Sequence, residues 1–244
     1  MRKTAVFTSS LLLILSLAVS PRVGAQRRAS RTGVRLVETG GFHGDEVRAR
    51  TGETWLGLYV LKESSTLVPS VVKVEPANDA MMDEEPWQMS GRVVSVKRKA
   101  DPIFLVAGTN ALRPGPVLTS RAQETLLTNT SDVRLALAGE AYRLRVSTKD
   151  RTDTTVMALD DAKLVLSKGG VSQVIYDLGG KGQETDTVEW KLLWAGDLDG
   201  DRKLDLYVQV SEHYNVSRHK LFLSSRARAK QLVREVAEFT VTGC

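Results

Sequence analysis

Trp190-Lys191-Leu192-Leu193-Trp194-Ala195-Gly196-Asp197-Leu198-Asp199-Gly200-Asp201-Arg202-Lys203-Leu204-Asp205-Leu206-Tyr207-Val208-Gln209-Val210 is the stretch from which both the fold class and the chemistry can be read. Leu204, Leu206, Val208 and Val210 alternate with Asp205, Tyr207, Gln209 and Ser211, which is the two-residue period of a strand. Upstream, Trp190, Leu192 and Trp194 alternate in the same way with Glu189, Lys191 and Leu193. The acids between them therefore sit in the loop of a hairpin spanning 188–211. Trp190 and Trp194 are in phase with Leu192, so both are assigned to the core rather than to a carbohydrate platform.

Asp197, Asp199, Asp201 and Asp205 fall at relative positions 1, 3, 5 and 9, with Gly200 at position 4. Two unit charges about 5 Å apart at an effective dielectric near 20 repel by roughly 3 kcal/mol. A hard cation relieves that repulsion, and Ca2+ accepts about six to eight oxygens in flexible geometry, whereas Mg2+ demands a tighter octahedron. An EF-hand needs Gly at loop position 6 and Glu at position 12. Arg202 and Val208 stand there, and the flanks are strands rather than helices. The alternative is an acidic turn without metal, since Asp and Gly are ordinary turn residues.

Gly196-Asp197-Leu198-Asp199-Gly200-Asp201-Arg202-Lys203-Leu204-Asp205-Leu206 resembles the calcium loop of the FG-GAP/VCBS repeat family, Gly-Asp-x-Asn/Asp-Gly-Asp-Gly-x-x-Asp-Leu. The resemblance implies Asp197, Asp199, Asp201 and Asp205 as ligands, with the carbonyl of Lys203 as a backbone oxygen. Arg202 departs from the pattern, which has Gly. If the backbone there is left-handed, Arg carries about a kcal/mol of strain. The motif occurs once and no repeat of about 20–50 residues surrounds it, so a multi-blade propeller is not expected.

Outward from the hairpin, short strand-like runs follow one another. Val34–Glu38, Trp55–Leu61, Val68–Glu75, Arg92–Lys97 and Ile103–Val106 are read as strands in the first half. Thr39-Gly40-Gly41 and Thr51-Gly52-Glu53 are read as turns. Asn78–Gln88, edged by Pro76 and Pro86, is an acidic loop. In the second half, Val133–Ala138 and Tyr142–Val146 make one hairpin. Lys163–Ser167 and Val171–Tyr176 make another around Lys168-Gly169-Gly170. Thr154–Leu159 is strand-like, Gly179–Asp186 a loop, and Lys220–Leu223 and Glu238–Val241 are further strands. Ala227, Leu232, Val233 and Val236 have helical spacing, so a short helix is expected over Arg226–Ala237. The class is mostly β: antiparallel hairpins forming a sandwich or two small β units, with one short C-terminal helix. A domain boundary, if there is one, falls near 110–116, where two prolines and a glycine cluster.

The chain opens with Met1-Arg2-Lys3, an apolar run from Leu11 to Val19, and Val23-Gly24-Ala25, the layout of a secretory signal peptide over 1–25. The run is too short to cross a membrane. Export, to the periplasm or the medium, is therefore expected of residues 26–244. Arg2, Lys3 and Arg22 leave with the leader, which takes the formal charge from +5 to about +2 and removes the case for a nucleic-acid partner. The clusters Lys97-Arg98-Lys99 and Arg226–Lys230 are read as solvated surface. Cys244 is the sole cysteine, so no intrachain disulfide can form.

His43, His213 and His219 lack the spacing of a zinc motif. No Gly-x-Ser-x-Gly elbow, His-Glu-x-x-His helix or phosphate loop is present. Asn129-Thr130-Ser131 and Asn215-Val216-Ser217 match the glycosylation acceptor pattern. The reading that results is an exported soluble protein with a structural calcium, acting as a binding or interaction module at the cell envelope on an envelope protein or polysaccharide. An exported hydrolase with a structural calcium is the alternative, for which a cleft gathering His43 or His213 with Asp160 or Asp161 is the expected mark. A calcium-responsive sensor is a third reading.

Overall fold

The computed structural model describes residues 33–149, 156–157, 161–179 and 187–243. The leader expected over 1–25, Asp160, the loop residues 180–186 and Cys244 lie outside the described residues, as does most of the run 154–159. Eighteen strands follow in order: β1 (Arg35–Val37), β2 (Gly40–Phe42), β3 (Thr54–Leu61), β4 (Ser64–Ala77), β5 (Gly91–Val96), β6 (Phe104–Ala107), β7 (Gly115–Arg121), β8 (Thr125–Leu127), β9 (Asp132–Leu137), β10 (Glu140–Ser147), β11 (Val156–Met157), β12 (Lys163–Lys168), β13 (Val171–Asp177), β14 (Thr187–Val188), β15 (Trp190–Asp197), β16 (Asp205–His213), β17 (Val216–Leu223) and β18 (Arg234–Thr242). Twelve of them form one sheet in the order β1-β6-β3-β4-β7-β15-β16-β17-β18, with β5 joining β2 to β4 and β8 lying on β15. Four more make a second sheet, β13-β12-β10-β9, and β11 pairs with β14. Neighbours in these sheets are antiparallel, as the hairpin pattern predicts.

The large sheet nearly closes on itself, with β1 lying against β18. Side chains rather than ladder bonds bridge that seam. Glu38, one residue past β1, accepts from Tyr207 Oη at 2.5 Å and pairs with His219 Nδ1 at 2.6 Å. Glu46 Oε1 accepts both the N–H and the hydroxyl of Thr242, each at 2.7 Å.

Strands β15 and β16 and the last residues of β17 are covered on both faces, which suits their largely apolar sequence. Trp194, Tyr207, Leu221 and Phe239 pack into one core with Trp55, Leu58 and Phe104. Trp190, Leu192, Leu206, Val208 and Phe222 pack into a second core with Leu144, Leu164 and Leu166 of the four-stranded sheet. Trp190 and Trp194 thus belong to opposite faces, although their spacing puts them in phase. The cause is a β-bulge: Leu192 pairs with Val208, Trp194 pairs with Tyr207, and Leu193 is the extra residue that reverses the alternation.

The short helix expected over Arg226–Ala237 is not formed. Ser224–Arg226 makes a single 3-10 turn, and the chain re-enters the sheet at Arg234. The amide of Gln173 takes the backbone groups that a helix would use. Its Oε1 accepts from the N–H of Leu232 (2.6 Å) and Val233 (3.1 Å), and its Nε2 donates to the Val233 carbonyl at 2.8 Å. Gly40, expected in a turn, instead enters β2 opposite Val94. The stretch 110–116 joins β6 to β7 within the large sheet, and Leu112 and Val117 share the core of Trp194.

Candidate metal centre

The loop joining β15 to β16 carries the acids where the alternation of its flanking strands puts them. Gly196, at its entrance, lies so close to the neighbouring strand that a Cβ there would stand 2.5 Å from the Leu118 carbonyl oxygen and 2.5 Å from the Trp194 ring. Two residues of the loop are left-handed, Gly200 at φ +81° and Arg202 at φ +63°. The second is the strained position that the sequence comparison singles out.

Asp197, Asp199 and Asp205 each aim a carboxylate oxygen into one spot, with those atoms within 4.8 Å of one another. They are the one such group among the described residues. The loop backbone holds Asp197 in place: its Oδ1 accepts from Gly200 N–H and its Oδ2 from Arg202 N–H, each at 2.8 Å. Asp205 is fully buried. Its Oδ2 accepts from Leu198 N–H at 2.7 Å, and its Oδ1 accepts from the N–H (2.7 Å) and hydroxyl (2.8 Å) of Ser224. One oxygen of Asp199 accepts from the Ser225 hydroxyl. The other, Oδ1, is buried with no hydrogen-bond partner among the described residues.

Asp201 is not one of the three carboxylates so grouped and stands beside them. Asp201 Oδ1 accepts from Lys203 N–H at 2.8 Å and from the Ser224 hydroxyl at 3.0 Å. The Lys203 ammonium is 3.7 Å from Asp201 Oδ2. Ser224 therefore spans Asp201 and Asp205 with one hydroxyl. Sequence reasoning passed over Ser224 and Ser225, because nothing in the spacing links a pair of serines after β17 to a loop some twenty residues earlier.

Burial holds the Asp199 carboxyl above the usual carboxylate range, and the charges of Asp201 and Asp197 act in the same sense. Asp205 is pushed well up, first by burial and then by the charge of Asp199, against the donors from Ser224 and Leu198. Asp205 is buried and Asp199 half-buried, so their like charges are poorly screened by water and each carboxyl resists ionisation beside the other.

The histidines lie elsewhere. His43 Nδ1 bonds Asp79, and Glu46 accepts the His43 N–H at 3.1 Å. His213 Nδ1 bonds Asn215 Oδ1 at 2.7 Å, and His219 belongs to the Glu38–Tyr207 seam. Asp161 is held by the Thr148 hydroxyl (3.0 Å) and Lys149 N–H (2.8 Å). Asn129, the first of the two glycosylation-pattern asparagines, is fully buried, so that acceptor is closed. Trp55, Trp190 and Trp194 are core residues, while Trp87 is exposed. No helix among the described residues is long and apolar enough to cross a membrane. Set against protein-family models, curated proteins and solved structures, the chain matches none.

Proposed function

We propose that the β15–β16 loop is a calcium centre with a structural role in an exported binding or interaction module of the cell envelope. The observation that carries this reading is Asp199 Oδ1, a buried carboxylate oxygen without a hydrogen-bond partner among the described residues, on a carboxylate grouped with those of Asp197 and Asp205. A buried acceptor left unsatisfied costs about 1–3 kcal/mol, more when it is charged. A bound cation removes that cost. Asp197, Asp199 and Asp205 are the direct ligands in this reading. Asp201, the Lys203 carbonyl and water complete an oxygen shell of the kind Ca2+ accepts. The left-handed backbone at Arg202 supports the likeness to the FG-GAP/VCBS loop, because that family places Gly at this position.

The role follows from where the loop is tied. Ser224 and Ser225, just past β17, hold Asp205, Asp201 and Asp199, so a cation at the loop fastens the β15–β16 hairpin to the end of the next strand. Envelope export rests on the leader-like sequence of residues 1–25. Calcium titrated calorimetrically into EDTA-stripped protein should bind with a stoichiometry of one, and Asp199→Asn should abolish the heat. Equal binding by the variant would remove the centre.

A further inference from the structure

Methionine is scarce in this chain and concentrated in one place. Of its five methionines, Met81, Met82 and Met89 fall within nine residues of the loop between β4 and β5. They are 48%, 68% and 49% exposed, although a methionine ordinarily fills a gap in a core. Trp87, 74% exposed, stands among them. The loop backbone is fixed by hydrogen bonds. Its ends meet where Ala77 pairs with Gly91. A first turn is closed by the Met82 and Asp83 N–H groups on the Asp79 carbonyl (3.0 and 2.8 Å), and a second by Gln88 N–H on the Glu85 carbonyl at 3.0 Å. Asp83 Oδ2 joins the two arms, accepting from Asp79 N–H at 2.8 Å and Ser90 N–H at 3.1 Å. Asn78 Nδ2 donates to the carbonyls of Glu85 (3.1 Å) and Gln88 (3.0 Å), and Arg92 Nη1 to that of Met89 at 3.1 Å. Met82 is the chain neighbour of Asp83 and Met89 that of Ser90, so the bond between those two brings methionines of opposite arms close in the backbone.

What this loop offers a ligand is sulfur. Residues 78–90 contain no His, Cys, Lys or Arg. Thioethers are soft, uncharged ligands, which select Cu(I) and leave Ca2+ and Mg2+ to oxygen. The exposed Glu84 and Glu85 add a field that favours a cation, and the face of an indole attracts one. A merely apolar contact surface would be served as well by Leu as by Met, whereas three exposed thioethers on one hydrogen-bonded loop are a set of metal ligands. We propose that the loop binds one Cu(I) ion through the sulfurs of Met81, Met82 and Met89, with the Trp87 ring beside it. The copper is held as Cu(I) and changes no oxidation state. The site is independent of the β15–β16 loop, whose donors are oxygens.

Anaerobic competition for Cu(I) with the chromophoric chelator bicinchoninate tests this. Wild type should withdraw one Cu(I) from the chelator and lose tryptophan fluorescence as it does, a quench that Trp87→Leu should lack. Replacing Met82 and Met89 together by Leu keeps volume and apolarity and removes only sulfur. That variant, its fold established by an unchanged melting curve, should bind at least about tenfold more weakly, the loss that even an outer partner of a metal causes. Met81→Leu serves as a second, single substitution with the same expectation. Cys244→Ser should bind as wild type does, and X-ray absorption of its copper complex should show sulfur neighbours, which can then come only from methionine. A wild type that takes no Cu(I) from the chelator, Leu variants that bind as tightly as wild type, binding lost in Cys244→Ser, or a copper with nitrogen and oxygen neighbours alone would each overturn the proposal.

Discussion

Arg202 shows at the scale of one residue how the sequence motif and the backbone explain each other. An L-residue in the left-handed region carries about 1–2 kcal/mol of strain. Replacement by Gly relieves it but returns about 0.4–1 kcal/mol of entropy to the unfolded chain. Arg202→Gly should therefore stabilise the protein by about 0.5–1 kcal/mol, read as a rise of about 1–4 °C in melting temperature. A fall would mean that the loop does not hold the conformation described. The acids were legible because like charges at regular spacing are written in the sequence. The division between Asp197, Asp199 and Asp205 and the displaced Asp201 was not, since it depends on serines brought in by folding. His43 makes a second residue-scale case. The hydrogen bond that His43 donates to Asp79 raises the histidine's pKa, and in return lowers that of Asp79. A raised histidine binds protons more tightly in the folded state. Its contribution is thus complete below about pH 6.5 and lost as pH rises through the folded value. Asp79 contributes above about pH 3.9 and is lost as pH falls through its lowered value. Melts of wild type and Asp79→Asn between pH 6 and 8.5 should show wild type losing stability relative to the variant as pH rises. A constant difference would contradict the pairing.

Among the elements, the decisive one is β15. Its alternation identified a strand, but the bulge at Leu193 then moved Trp194 to the opposite face from Trp190, where its Nε1 donates to Ser65 Oγ at 2.9 Å. A bulge leaves no mark in a binary pattern, so the strand could be read from sequence and its second face could not. The missing helix failed for a related reason. Val233 and Val236 have helical spacing but serve different cores, and Gln173 fixes the backbone at Leu232 and Val233 in place of helical bonds. Gly196 is where the bulged strand meets its neighbour most closely. Gly196→Ala puts a methyl against the Leu118 carbonyl and the Trp194 ring, both in rigid surroundings. It should destabilise the fold by about 1–3 kcal/mol through overpacking, measurable in urea melts. A neutral outcome would show that β7 can move away from β15 freely.

For the whole molecule, the mostly antiparallel β class followed from closely spaced short strands, while the near-closure of the large sheet did not. Closure depends on Glu38 and Glu46, which sit in ordinary-looking polar sequence and meet their partners from the far end of the chain. Tyr207 is fully buried, and burial, reinforced by Glu38, keeps its hydroxyl protonated and donating. Glu38→Ala leaves that donor without its carboxylate and should cost about 1–3 kcal/mol. The acidic loop likewise depends on folding, which brings the carboxylates of Asp197, Asp199 and Asp205 together, and the proposed cation would offset their repulsion. The central claim is therefore tested most directly by a thermal melt of residues 26–244 in EDTA and in calcium at about 100 times the dissociation constant, with Asp199→Ala alongside. Calcium should stabilise the wild type by roughly 2.7 kcal/mol, a shift of about 5–10 °C, and the variant should lose the shift. An equal melting temperature with and without calcium, or a shift that Asp199→Ala retains, would make the loop an acidic turn and contradict the calcium centre.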